Sequence, residues 1–428
     1  MILLFIALIL LALIMLRVPI AIAIGIIALI GMIEQSGFGA IYDAALKLFE
    51  GSTKFPLIAI PLFILAGSLM NTSSISTRLI AFVTALVGFV KGGLAMVNVM
   101  VSLFFAEISG SAVADVAAIG SVLIPSMIKK GYNKNFAAAV TSSSASLAII
   151  IPPSIPMILY GAISDTSIIQ LFVAGIIPGL IGGFLMMCFC YYYAIKYNLP
   201  RDEAFDLKNV WDKFKKAGWA LTLPIIILGG IFGGFVTATE GAGLAVLAAL
   251  LIGGVIYKEI NIKHLISSMK EGVIQTSAVM LLVSTSALLG LYLTLTEIPQ
   301  QLAEDITNFT NNKLAIIALL NLLLFVLGMF LHGASAIVLV VPIVMPIVVQ
   351  AGIDPVHFGI ILTLSIALGQ QTPPVASVLA TACSIAKADM LEVTKSNLPF
   401  IMILIVVLLI VSYIPEVPLF LVEMFYRD

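Results

Sequence analysis

The chain has 428 residues, of which 61% are hydrophobic and 10% charged, with a formal net charge of −1; its mean hydropathy is +1.19. Soluble domains are about 45–50% apolar and about 25% charged, so these charges are too few to coat a water-exposed surface, and a soluble enzyme is excluded. The balance of 21 basic against 22 acidic residues leaves no basic face for nucleic acid, and the long unalternated apolar runs exclude a transmembrane β-barrel.

What remains is an all-α polytopic membrane protein. Apolar runs predict helices over 2–16, 18–34, 56–71, 135–164, 172–195, 219–235, 237–257, 273–295, 357–386 and 397–420. The first has no basic start and no small-residue cleavage site, so it reads as a retained helix and not a signal peptide. Two further runs, 94–130 and 314–351, are too long for one crossing. Small polar residues break each near its middle: Ser109-Gly110-Ser111 in one, His332-Gly333-Ala334-Ser335 in the other. Both are predicted as re-entrant helical hairpins whose tips stop inside the membrane. Paired prolines interrupt two more helices, Ile151-Pro152-Pro153-Ser154 within 135–164 and Gln370-Gln371-Thr372-Pro373-Pro374 within 357–386. Proline removes a backbone donor and clashes with the preceding turn. Such a break at membrane depth is tolerated only where protein buries it or it lines a wet cavity.

The stretch 196–217 is the one clearly soluble segment and leads into an amphipathic piece with Trp211 and Trp219. It reads as a cytoplasmic linker lying on the lipid surface. Similar interfacial stretches are predicted at 36–54, 74–91, 258–272 and 298–313. Cys188, Cys190 and Cys383 are expected to be buried soft hydrophobes.

The two halves match. Gly110 pairs with Gly333; two residues are then lost, and one constant spacing pairs Pro125 with Pro346, Gly131 with Gly352, Pro152-Pro153 with Pro373-Pro374, and Pro178 with Pro399. An odd number of crossings per half makes the repeats inverted. Lys129, Lys130 and Lys134 place the base of the first hairpin in the cytoplasm by the positive-inside rule, and the second base and both termini outside. The expected organisation is first-repeat scaffold helices and an interfacial arm (1–93), a first-repeat transport part (94–195), the basic linker (196–218), second-repeat scaffold and arm (219–313), and a second-repeat transport part (314–428).

Hairpins entering from opposite faces bring their tips together near the midplane, each beside the break of its own half. Broken helices aim positive N-termini at an anion and leave carbonyls free for a hard cation. Ser109, Gly110, Pro152 and Ser154 are therefore expected to form one cation site, with Gly333, Thr372 and Val375 as its inverted mate. Ser111, Asp115 and Ser335 are expected to face the substrate. The serines Ser142, Ser143, Ser144 and Ser146 read mainly as glue between helices. Glu107 and Glu240 read as helix-end residues, and His332 as a hydrogen-bonded structural histidine. The sequence holds no G-x-x-x-x-G-K-[ST], no H-E-x-x-H and no G-x-S-x-G, so signatures of an enzyme are absent. A channel, an intramembrane serine hydrolase and a proton-coupled carrier stand as alternatives to a metal-ion-coupled one.

Over essentially its whole length the chain resembles the large membrane subunit, DctM-like, of tripartite ATP-independent periplasmic (TRAP) transporters. The most specific segments are Ala59-Ile60-Pro61-Leu62-Phe63-Ile64-Leu65-Ala66-Gly67, Ser109-Gly110-Ser111-Ala112-Val113-Ala114-Asp115, Ile151-Pro152-Pro153-Ser154 and Thr237-Ala238-Thr239-Glu240. The family often has proline where Ala238 stands. The resemblance implies the ion-transporter-superfamily fold, an elevator mechanism, and import of a carboxylate such as sialic acid or a C4-dicarboxylate driven by sodium bound at about two sites. It also implies a small four-helix membrane subunit, expected as a separate chain, a periplasmic substrate-binding protein, and a place in the bacterial inner membrane. The sialic-acid branch is the nearest in resemblance.

Overall fold

The computed structural model describes the chain outside residues 1–8, 10, 11, 14, 15, 17, 110, 202–204, 311 and 428, and outside the side chains of 106–109, 307 and 309. Most of the predicted helix 2–16 and the tip residue Gly110 thus lie outside the described residues. The first repeat continues with α1 (Ile20–Ser36), α2 (Ala40–Ser52), a 3-10 turn (Phe55–Ile58) running into α3 (Ala59–Thr72), and α4 (Ile75–Val87). Its hairpin arms are α5 (Gly93–Ser109) and α6 (Ala112–Lys129), its broken helix is α7 (Lys134–Ala148) with α8 (Ile155–Ser164), and α9 (Ile168–Lys196) closes it. The second repeat opens with α10 (Leu207–Phe232), α11 (Ala238–Leu250), which a π turn extends (Leu251–Ile256), α12 (Ile262–Leu295) and α13 (Ile298–Phe309). Hairpin arms α14 (Lys313–Phe330) and α15 (Gly333–Gln350) follow, then the broken helix α16 (Pro355–Gly369) with α17 (Ser377–Ala386), and finally α18 (Met390–Tyr413) and α19 (Glu416–Tyr426). Among the described residues there is no strand, and 9 helices are long and apolar enough to cross a membrane.

Three boundaries differ from expectation. The interfacial stretch 258–272 is not separate, because α12 runs unbroken for 34 residues from Ile262. Its first turns hold no proline, and an isolated glycine such as Gly272 costs a helix only about 1 kcal/mol. The linker likewise merges into the next span: Asp206 caps α10 by accepting from the Lys208 amide at 2.9 Å, so the boundary drawn at 218 falls inside one helix. The last run is split, with α18 stopping at Tyr413 and α19 starting just after Pro415, because the residue before a proline disfavours the helical region. Cys190 and Cys383 are buried as expected, whereas Cys188 is exposed.

The internal repeat extends to single hydrogen bonds. Ser144 Oγ donates to Asn98 Oδ1 at 3.5 Å, and Ser365 Oγ donates to Asn321 Oδ1 at 3.1 Å. Asn98 stands to Asn321 as Gly110 stands to Gly333, and Ser144 to Ser365 as Pro152 to Pro373. In each half, then, the same pair ties the ascending hairpin arm to the broken helix. The caps of those helices correspond too. Asn133 Oδ1 accepts from the Asn135 amide, and Asp354 Oδ1 from the Val356 amide, both at 2.8 Å.

Packing interlocks the repeats. Both arms of the first hairpin lie on α7, and α14 lies along α16. Each outer half-helix crosses to the other repeat: α8 packs on α15, and α17 packs on α6 and α7. A second body forms where α12 lies along α1, α2 and α3, with α11 on α3 and α10 on α4. Glycine permits the close approach there, since a Cβ at Gly31 would lie 2.4 Å from the Tyr292 ring.

Candidate functional site at the hairpin tips

A cavity of about 810 Å³ lies where the two hairpins meet. Its wall takes Ser111, Ala112 and Ala114 from the first tip, His332, Gly333, Ala334 and Ser335 from the second, Ile149, Ile155 and Pro156 from the flanks of the first break, and Gln370 from the start of the second. Helices α6, α8 and α15 therefore all begin on one wall. The first amides of a helix have no partner within it, and the aligned peptides leave that end positive. Three such ends around one space favour an anion. Among the described residues the only charged side chain on the wall is Glu271 of α12, whose carboxylate accepts from Ser68 Oγ at 3.3 Å and from Gln275 Nε2 at 3.2 Å. The other polar side chains on the wall are serines, a threonine, an asparagine, glutamines and His332.

The expected site residues divide. Ser111, Gly333 and Ser335 line the cavity. Ser111 is extended at the cap position of α6 and makes no side-chain cap bond. Asp115 lies one turn further along, buried, on the side of α6 turned from the cavity wall. Ser109 ends α5, its side chain outside the described residues like Gly110. Pro152 and Ser154 are buried, and Ser154 Oγ caps α8 by accepting from the Met157 amide at 3.4 Å. Thr372 Oγ1 donates to the Leu368 carbonyl at 3.2 Å, and Val375 is exposed. His332 is exposed on the cavity wall. Glu240 is the helix-end residue of a capping box: its carboxylate accepts from the Thr237 amide at 2.8 Å, while its own amide donates to Thr237 Oγ1 at 3.2 Å.

A family model described as "Tripartite ATP-independent periplasmic transporter, DctM component" matches residues 7–417. The chain belongs to that family. It is a transporter permease and not an enzyme. Relatives include the isethionate TRAP transporter permease protein DctMQ of Oleidesulfovibrio alaskensis, 38% identical over 94% of this chain. The chain spans 64% of that longer protein. Two Vibrio cholerae proteins are each 35% identical: the C4-dicarboxylate large permease DctM, over 94% of this chain and 93% of its own length, and the sialic acid large permease SiaM, over 95% of both. Among solved structures, the YdaH transporter of Alcanivorax borkumensis shares the fold with a TM-score of 0.59 at 14% identity, covering 92% of this chain and 90% of that one.

In this DctM-family chain, Gln371 is a residue whose role sequence reasoning missed. It was read only as part of a break. Its side chain, fully buried, instead joins the repeats: Nε2 donates to the Ser142 carbonyl at 2.8 Å and to Ser146 Oγ, while Oε1 accepts from Asn397 Nδ2 at 3.0 Å. Ser143 Oγ in turn donates to Asn397 Oδ1 at 2.6 Å. The serine-rich α7 thus serves as the glue expected of it, with Ser144 Oγ lying 2.8 Å from Ser102 Oγ. A signal was present in the repeat itself, because Gln370-Gln371 stand where the first half has Ile149-Ile150.

Proposed function

We propose that the chain is the large membrane subunit of a sodium-coupled, binding-protein-dependent secondary transporter that imports a carboxylate solute, sialic acid or a C4-dicarboxylate, by an elevator mechanism in the bacterial inner membrane. The observation that carries this is the convergence of both hairpin tips and the flanks of both breaks on one cavity lined by neutral donors and three helix starts. Ser111 and Ser335 are the substrate contacts in this reading; Asp115, expected beside them, is buried and not among the residues lining the cavity.

The cation reading rests on the breaks. Among the described residues, the carbonyls of Pro152 and Pro153, and of Thr372, Pro373 and Pro374, accept no backbone hydrogen bond. Hard cations take such neutral oxygens. Ser109, Gly110, Pro152 and Ser154 would hold one sodium ion, and Gly333, Thr372 and Val375 the other. A bound cation would offset the charge of the solute.

The elevator reading rests on two bodies. In this reading residues 94–195 and 314–400 would be the hairpin-bearing moving part, and residues 1–72 with 219–295 the scaffold; the helix pairings described above support that division. The cavity extends along α6 to Ser121 and Val122, toward the hairpin base that carries Lys129 and Lys130, so this conformation is read as open to the cytoplasm. The partners are a small four-helix membrane subunit on a separate chain, bracing the scaffold, and a periplasmic binding protein on the outer face. The test is uptake into proteoliposomes holding both partners, with sodium, pH and the offered acid varied. Uptake that needs a sodium gradient is the expected result. Uptake driven by a proton gradient without sodium removes the sodium reading, and an ion current without solute removes the carrier.

A further inference from the structure

The repeat makes the backbone of the site two-fold and leaves its side chains unequal. Ile149 and Gln370 stand at matching places, and both line the tip cavity. One wall is therefore apolar, with Ile149, Ile155 and Pro156 side by side. The second repeat contributes a primary amide at the matching place. Gln370 is only 2% exposed, and its Nε2 has no hydrogen-bond partner. That nitrogen lies 3.0 Å from where a Cβ on Gly333 would be, directly over the start of α15. A Cβ at 333 would crowd that amide, which would have to shift by a few tenths of an ångström. A buried donor left without an acceptor costs about 1–3 kcal/mol, and such an orphan in a cavity wall marks a group that something else satisfies.

We propose that Gln370 is a substrate contact that sets orientation and specificity. Its Nε2 donates to an oxygen of the bound anion, alongside the first amides of α15. The acid group of the solute then lies against the second repeat, and its carbon skeleton against the apolar wall of the first. The class of solute this suits is a small organic anion that presents one acid group to the second repeat. This rests on the transport reading above, and it assigns a residue and a direction that the reading leaves open.

The test is thermal unfolding of the purified full chain in sodium-containing detergent, titrated separately with succinate, N-acetylneuraminate and isethionate. An acid that the wild type binds raises the unfolding temperature with a measurable half-saturation concentration. For that acid, Gln370→Met, which keeps the length and loses the amide, is expected to raise half-saturation roughly tenfold while unfolding without ligand at the wild-type temperature or above. Gln370→Glu, which places a carboxylate against the anion, is expected to raise it further. Unchanged half-saturation in Gln370→Met overturns the assignment while leaving the transport reading in place. If that variant fails to accumulate, Gln370→Asn, which keeps the amide and shortens its reach, decides in the same way. Failure of all three acids both to bind and to be taken up by the complete system removes the transport reading, and this assignment falls with it.

Discussion

The two broken helices stand at matching places and are held by opposite means. At the first, Pro152, Pro153 and Ser154 are all buried, and α9 presses on the break so closely that a Cβ on Gly175 would lie 1.9 Å from the Ile150 carbonyl oxygen. At the second, Pro374 and Val375 are exposed, and the chain is anchored by Gln371 bonding to α7 and α18. A break covered by close packing needs no polar side chains. One left open on a side cannot be fixed by packing there, and directed hydrogen bonds supply the missing constraint. The closed break belongs to the apolar wall of the cavity, and the open one to its polar wall.

The comparison is broken most severely at Gly175. Gly175→Leu is expected to leave no folded protein on size-exclusion chromatography, since the backbone of the break has nowhere to go. At the matching place in the second half, Ser396→Ala is expected to change stability by less than about 0.5 kcal/mol. Next comes Gln371→Leu, which leaves Asn397 and Ser146 without their partner and is expected to cost about 2–3 kcal/mol in unfolding measurements. A smaller step is Ser154→Ala, which removes the cap of α8 at a cost of about 1 kcal/mol, against a negligible change for Val375→Ala, where no cap exists.

The smallest expected effect tests a joint between the halves. Glu259 accepts from the Ser74 amide and from Arg78 Nη2, both at 2.8 Å. Burial pushes its carboxyl up, but the Ser74 hydroxyl and amide and the Arg78 guanidinium outweigh that and hold it below its ordinary 4.5. A lowered carboxyl stabilises the fold above its ordinary value, and that stabilisation is lost as pH falls through the lower, folded value. The unfolding temperature is expected to drop below about pH 4.5. In Glu259→Gln this component of the drop should be missing.

Much of this arrangement was legible in the chain. Ser109-Gly110-Ser111, the two Pro-Pro pairs and the matched prolines are local signals, because proline and glycine act on the backbone wherever they fall. The glue role of Ser143 and Ser146 was legible as a type, but their partners Asn397 and Gln371 were not, since they come from a distant segment and no local pattern points to them. Asp115 shows the same limit. Its helix was foreseen, but the side of the helix turned to the cavity depends on how α6 rotates against α7 and α17. The joins at 218 and 272 were misplaced because a helix continues through a change of polarity when nothing in its backbone stops it.

The unbroken α12 has a consequence for the surroundings of the cavity. Its 34 residues make a rod of about 51 Å, while the hydrocarbon layer is about 30 Å thick. The surplus falls on the polar first turns, with Lys263, His264, Lys270 and Glu271. Glu271 and Gln275 also line the tip cavity. The polar overhang and part of the cavity wall are therefore carried by one rigid rod, so any shift of that wall along the membrane normal would have to move α12 as a whole.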